Sequence, residues 1–279
     1  MPELPEVETV RRILEPQLAG QRIRAVRLGN PQVIARPDAG SFCRLAAGQT
    51  IRGLGRRGKF LSLELETGAC VVIHLRMTGS LVAAPADYAV EKHTHVTFLL
   101  ESGSELRFTD PRRFGRLWLL QPGEPDLDTG RSRLGPEPFS PQFDAEYLQR
   151  ALARRKRPLK ECLLDQSIVA GIGNIYADEI LFAARLSPMR PANTLTKEEA
   201  QRLAAQVPQT LQWGIDRDQM TPQEYLAGKG RGYRNAASFQ VYGRGGAPCR
   251  VCGQPLRRVT LGGRSSVYCP CCQGGPATT

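Results

Sequence analysis

The sequence predicts an α+β protein of more than one domain, a β-rich first half led by a single helix and a helical second half closed by a cysteine hairpin. Three observations carry that expectation. Residues 21–121 break into short apolar runs separated by glycines, residues 144–213 carry helical spacing, and a proline- and glycine-rich stretch lies between them. At 279 residues the chain exceeds one typical core, and its 41% apolar content is ample for two.

The elements follow in order. Pro5 suits the first turn of a helix, where its missing N–H costs nothing, and Glu6 and Glu8 complement the positive end of the helix dipole. Val7, Val10, Leu14 and Leu18 form one apolar stripe, and Gly20 is the expected stop. Strands are expected at Phe60–Leu65, Cys70–Leu75, Val96–Leu100 and Leu117–Leu120, so this half is a sandwich or a barrel. Pro122, Pro125, Pro136, Pro138 and Pro141, with Gly123, Gly130 and Gly135, cannot hold regular structure and mark an interdomain linker. Helices are expected at Asp144–Arg155, Lys160–Asp165, Ile175–Ala184 and Lys197–Trp213. The boundaries are therefore 1–121 for the β domain, 122–141 for the linker, 142–240 for the helical domain and 241–279 for the cysteine-bearing end.

Cys249-Arg-Val-Cys252 and Cys269-Pro-Cys-Cys272 are two Cys-x-x-Cys knuckles sixteen residues apart, the spacing of a four-thiolate zinc ribbon. Between them Leu256, Val259, Leu261 and Val267 flank Gly262-Gly263, which makes a hairpin carrying Arg257, Arg258 and Arg264. Four sulfur ligands leave no open position, so one structural Zn2+ is expected. Cys271 is a spare thiol competing with Cys272 for assignment; Cys43, Cys70 and Cys162 are expected as small buried hydrophobes.

The net charge of +11, from 38 Lys and Arg against 27 Asp and Glu, favours a polyanionic partner, nucleic acid before membrane. No apolar run approaches the roughly 20 residues of a spanning helix, and the acidic start is the opposite of a secretion signal. A cytoplasmic protein is expected.

Pro2 is a candidate nucleophile; the Met-Pro start taken alone is read as shaping only the first turn, and the carboxylates that follow it strengthen the chemical reading. With Met1 removed, Pro2 is a secondary amine whose pKa of roughly 8 leaves a neutral, nucleophilic fraction at pH 7. Attack on an aldehyde-like carbon gives an iminium. Glu3 beside it and Glu6 one turn on can move protons. Further along, Gly171-Ile-Gly-Asn174 precedes a helix, with Asn174 as its N-cap and glycines that let backbone N–H groups approach a phosphate.

Taken together these segments resemble the formamidopyrimidine-DNA glycosylase family along nearly the whole chain. The resemblance rests on Pro2-Glu-Leu-Pro-Glu-Val-Glu-Thr-Val, on Lys59 in Arg56-Arg-Gly-Lys-Phe-Leu, and on His74-Leu-Arg-Met-Thr-Gly-Ser. Asp110-Pro-Arg-Arg-Phe-Gly, the glycine turn at Asn174 and the cysteine pairs with Arg264 complete it. It implies an N-terminal catalytic β-sandwich, a helix-two-turn-helix domain and a zinc finger. It also implies a monomeric DNA repair enzyme that flips an oxidised purine from the duplex, because C1′ is shielded in the stack. By the same resemblance Pro2 attacks C1′, and β- and δ-elimination then cut the strand. Glu3 assists ring opening, Glu6 orders the site, Lys59 tunes its charge, and Arg264 completes the catalytic set. Met77, Arg112 and Phe114 match the family's void-fillers, while His74, Lys160, Asn174, Arg264 and Tyr242 match its DNA contacts.

One stretch departs from the family pattern. The lid segment reads Gly228-Lys-Gly-Arg-Gly-Tyr-Arg-Asn-Ala-Ala-Ser-Phe, with Tyr233-Arg234-Asn235 in place of Gly-x-Phe, so of the two implied substrates, formamidopyrimidines and 8-oxoguanine, excision of formamidopyrimidines is a safer expectation than a strong 8-oxoguanine preference. Two other readings are an endonuclease VIII-type oxidised-pyrimidine glycosylase and a non-catalytic zinc-dependent DNA-binding protein. Arg112 and Phe114 argue against the first.

Overall fold

The computed structural model describes residues 2–231 and 235–274, and the chain divides into two units. Unit 1 is Met1–Ser132 with Asp218–Tyr233, and unit 2 is Arg133–Arg217 with Arg234–Thr279.

Unit 1 opens with α1 (Leu4–Leu18), whose Val7, Val10, Leu14 and Leu18 are fully buried. Each such side chain contributes about 1.5–3 kcal/mol on leaving water, so α1 is anchored along its length. The strands are β1 (Ile23–Leu28), β2 (Ile34–Arg36), β3 (Ile51–Arg57), β4 (Phe60–Leu65), β5 (Cys70–His74), β6 (Ser80–Pro85), β7 (Thr94–Leu100), β8 (Ser104–Thr109) and β9 (Arg116–Leu120). They form two sheets, ordered β1-β7-β8-β6 and β2-β9-β5-β4-β3, antiparallel except where β2 meets β9. Strand alternation decides what faces the shared core. Leu61, Leu63 and Leu65 of β4, Val71 and Ile73 of β5, and Leu106 and Phe108 of β8 all join one cluster with α1. The open alternative of the sequence, sandwich or barrel, resolves to two sheets over one core. On the other face of the five-stranded sheet, Phe60 pairs with His74 across β4 and β5, their rings edge-to-face at 4.4 Å.

A second helix, α2 (Ala39–Ala46), interrupts the expected run of strands; Asp38 caps it by accepting the N–H of Ser41 at 2.9 Å. The domain boundary also differs from the expected one. Asp218–Tyr233, which the sequence assigns to the helical domain, belongs to unit 1, where Tyr225 of the short helix Pro222–Ala227 is buried and donates its hydroxyl to Leu81 O at 3.1 Å.

Unit 2 contains α3 (Ala145–Leu152), α4 (Leu159–Leu163), α5 (Asn174–Ala183), α6 (Lys197–Arg217) and a hairpin of β10 (Arg257–Leu261) and β11 (Arg264–Tyr268). The four helices lie where the apolar spacing predicts. Helix α6 packs on α3 and α5. Gly214 leaves room for Tyr176, whose hydroxyl stands 2.4 Å and whose nearest ring carbon stands 2.6 Å from where a Cβ would sit. The hairpin turns on Gly262 and Gly263, both at positive φ (51° and 73°), as a tight two-residue turn requires. No helix among the described residues is long and apolar enough to cross a membrane.

Candidate active site and nucleic-acid interface

In unit 1 the N-terminal residues are held by the first turn of α1. Glu3 is the N-cap, and its N–H donates to the Glu6 carboxylate at 2.7 Å, the reach-back arm of a capping box. Glu3 is 2% exposed and Glu6 5%, whereas Pro2 stays partly open to solvent. Burial, then the nearby charges of Glu3 and Asp218, pushes the Glu6 carboxyl up to about 8. At neutral pH it is therefore a protonated acid. Asp218, fully buried, is a site neighbour that the sequence did not single out.

Glu8 fixes the helix to the sheet. It receives Arg11 and Arg12 from its own helix and Arg56 from β3 at 3.1 Å. Burial opposes its ionisation, but hydrogen bonds from Arg11 and Arg12, with the charges of Arg11 and Arg56, outweigh it and hold Glu8 at about 2. Arg56 also donates to Gly58 O at 3.1 Å, inside the β3–β4 turn that carries Lys59. One carboxylate thus ties the start of the chain to the lysine turn.

His74 ends β5, 7% exposed. Its Nδ1 accepts the N–H of Arg76 at 3.0 Å, so the ring proton sits on Nε2. Burial, then the charges of Arg76 and Lys59, lowers its pKa to about 3. Any phosphate it meets at neutral pH is met by a neutral N–H donor. Met77 and Phe114 are not core residues: they are 46% and 49% exposed on two loops, and the Arg112 guanidinium lies 4.6 Å above the Phe114 ring. Large apolar side chains left in water next to a cation suit insertion into a base stack.

In unit 2 two expectations are corrected. Lys160 is not available to a phosphate: it is fully buried, ion-paired to Asp178 at 2.8 Å, and donates to Ser265 O at 2.8 Å. A lysine so enclosed is stable only because it is paired. Asn174 is not the N-cap of α5 but its first residue, following Gly173; its amide donates to the same Ser265 O at 3.1 Å. Asp178 in turn accepts Ser266 Oγ at 2.7 Å and Val267 N at 3.0 Å. Three side chains of α4 and α5 therefore fix β11, and Arg264, exposed at its start, projects from a held strand. Glu179, the next residue on α5, accepts the N–H groups of Gln240, Val241 and Tyr242 at 2.8, 2.9 and 2.8 Å. The Tyr242 ring meets Phe239 edge-on at 5.8 Å. Tyr233 and Arg234 of the expected lid lie outside the described residues.

Cys249, Cys252, Cys269 and Cys272 bring their sulfurs within 4.8 Å of one another. Tetrahedral zinc with bonds of about 2.3 Å needs sulfurs about 3.8 Å apart, and two of the pairs here stand at 3.9 and 3.4 Å. The donor set fits one structural Zn2+, held by Cys272 and not by the exposed Cys271. Of the three other cysteines only Cys162 is fully enclosed; Cys43 and Cys70 are half-buried.

Comparison with known proteins puts these parts in the class of DNA glycosylases. Three family descriptions match in chain order: formamidopyrimidine-DNA glycosylase N-terminal domain over residues 1–117, formamidopyrimidine-DNA glycosylase H2TH domain over 134–226, and a zinc finger found in FPG and IleRS over 246–274. A formamidopyrimidine-DNA glycosylase of Moorella thermoacetica is 52% identical over 93% of this chain and 94% of its own, and one of Desulforamulus reducens is 46% identical over 98% and 99%. The MutM (Fpg) structure of Thermus thermophilus superposes with a TM-score of 0.86 at 42% identity, covering 99% of this chain and all of that one. Lactococcus lactis Fpg in complex with FAPY-dG containing DNA gives 0.86 at 32% identity, over 97% and 99%. The chain belongs to the formamidopyrimidine-DNA glycosylase family.

Proposed function

We propose that this enzyme removes oxidised purines, formamidopyrimidines foremost, from duplex DNA and cuts the resulting abasic site by β,δ-elimination through a Schiff base at Pro2. The observation that carries the reading is a partly open Pro2 seated on a helix start whose Glu3 and Glu6 are enclosed. With Met1 removed, the Pro2 nitrogen attacks C1′ of an extrahelical nucleotide. The C1′–base bond breaks, its electron pair leaves with the base, and a proton from a carboxylic acid neutralises the departing group. Glu6, protonated at neutral pH, is suited to hold or give that proton, and Glu3 to pass one to the sugar ring oxygen as the ring opens.

Ring opening leaves an iminium between Pro2 and C1′. Loss of a C2′ proton expels the 3′-phosphate, a second elimination expels the 5′-phosphate, and hydrolysis of the iminium frees the enzyme. Lys59 supplies positive charge beside these steps, and Arg264 on the zinc hairpin binds a phosphate. Met77, Arg112 and Phe114 fill the space left by the extruded nucleotide, Arg112 facing the orphaned base. His74, Asn174 and Tyr242 are the remaining DNA contacts of this reading. The zinc is structural, the enzyme acts as a monomer, and its DNA substrate implies a cytoplasmic, nucleoid-associated location.

Borohydride reduction tests the reading. An enzyme–DNA crosslink through Pro2 is expected with abasic and formamidopyrimidine DNA, absent in Pro2→Gly. No crosslink with the wild type, or an equal one in the variant, sinks the mechanism. Faster excision of thymine glycol than of formamidopyrimidine would instead favour the endonuclease VIII-type alternative.

A further inference from the structure

Asp110, between β8 and the Arg112–Phe114 loop, is fully buried, and its carboxylate is shared between two loops. One oxygen, Oδ1, accepts the hydroxyl of Thr78 at 2.5 Å and the N–H of Arg112 at 3.2 Å; the other, Oδ2, accepts the N–H of Gly115 at 2.7 Å. Thr78 directly follows Met77. The backbone of Asp110 is fixed as well: its N–H donates to His93 O at 3.0 Å, and its carbonyl accepts Arg113 N at 3.1 Å and the buried His95 ring at 2.7 Å. The acceptor is thus held from β7 while its donors come from the two loops that present Met77, Arg112 and Phe114.

The loop backbones leave little slack around this carboxylate. Arg76 and Arg113, one before Met77 and one before Phe114, sit at φ 54° and 59°, the left-handed region that a non-glycine residue enters only at a cost. A Cβ on Gly79 would stand 2.4 Å from Leu75 O, and one on Gly115 would stand 3.2 Å from both Asp110 Oδ2 and His74 O. Gly79 lets its own loop turn tightly on Leu75, and Gly115 lets the second loop approach His74. The Thr78 carbonyl also accepts the Arg231 guanidinium at 3.1 Å.

We propose that Asp110 is a positioning residue that couples the two void-filling loops through Thr78, so that Met77 and the Arg112–Phe114 pair enter the stack as one preset wedge. The inference rests on the proposed void-filling role of those three side chains. It adds that their action is cooperative and that discrimination of the opposite base by Arg112 depends on a hydroxyl on the other loop. Presetting three exposed side chains before DNA arrives lowers the ordering cost of the flipped complex.

The test measures single-turnover excision of a formamidopyrimidine opposite cytosine and opposite adenine, with thermal unfolding as the folding control. Thr78→Val removes the hydroxyl and keeps the shape; Thr78→Ser keeps the hydroxyl. Expected are a melting temperature lowered by a few degrees in Thr78→Val and unchanged in Thr78→Ser, a loss of about tenfold in cytosine-over-adenine discrimination in the folded Thr78→Val, as befits one hydrogen bond to a charged acceptor, and retention of it in Thr78→Ser. Asp110→Asn, which sets an amide against the Gly115 N–H, shows the same loss. Met77→Ala and Phe114→Ala are less than additive in the wild-type background and additive with Thr78→Val. Arg112→Ala and Phe114→Ala calibrate the assay. If they leave excision unchanged, the void-filling reading falls and this inference with it. If they act while Thr78→Val matches the wild type, or Thr78→Ser fails equally, the coupling alone is refuted.

Discussion

Replacing Lys160 by methionine separates two roles for a basic residue in a DNA-binding unit. The Lys160–Asp178 pair is fully enclosed, with side-chain exposures of 0% and 1%. Removing one partner of such a pair costs about 3–5 kcal/mol, because the other charge is left uncompensated. Asp178 keeps two further donors, Ser266 Oγ and Val267 N, which puts the expected loss near the lower end, about 3 kcal/mol. For a unit of this size that is a fall of roughly 6–12 °C in Tm. The deficit has a sign in pH. Burial already raises the Asp178 pKa against the pull of Lys160. Without the lysine it rises further, so the folded variant holds a proton that the unfolded chain releases above its ordinary carboxylate pKa. The penalty therefore grows as pH rises from that value toward the raised folded pKa, and shrinks as pH falls back. Urea melts at several pH values measure it, and DNA affinity against salt completes the assay. A buried structural lysine leaves the slope of log K on log salt unchanged, whereas a phosphate contact lowers it by about one. A variant with wild-type stability and a reduced salt slope would refute the argument.

Glu6→Gln should flatten a pH dependence. Because the folded pKa of about 8 lies above the ordinary 4.5, the stability carried by the protonated group is fully present below 4.5 and is lost as pH rises through 8. Urea melts of the wild type minus the variant should show this loss, up to about 5 kcal/mol, and a constant difference from pH 5 to 9 would contradict the buried-acid assignment. Stripping the metal with a strong chelator should abolish damaged-DNA binding and loosen the 249–272 hairpin in hydrogen exchange while unit 1 keeps its protection; retained binding by the metal-free protein would remove the zinc from the interface.

Local periodicity accounts for the legible parts. The helix from Leu4, four of the strands, the four helices of unit 2 and the cysteine hairpin each announce themselves within a few residues, through apolar spacing, a cap or a ligand pair. Helix α2 was hidden because Asp38 capping and a short Phe42–Ala46 face look like one more loop among strands. Lys160 reads in sequence as a phosphate contact because its partner, Asp178, lies on another helix and no short-range pattern links them. Asn174 resembles an N-cap by type, yet Gly173 holds that position and Ser265 claims its amide. Asp110, Glu8 and Asp218 had no distinguishing local signal beyond their motifs, since what makes each one matter is burial against groups supplied from elsewhere in the chain. The exposure of Met77 and Phe114 likewise appears only in three dimensions.

The return of Asp218–Tyr233 to unit 1 makes the chain a nested arrangement, one folding body inserted into another. As the polypeptide emerges from the ribosome, the first body lacks the Tyr225 plug over Leu81 until everything from Arg133 to Arg217 has been made. A truncation after Ser132 would leave that seam open to water, so early fragments depend on prompt completion of synthesis to close it.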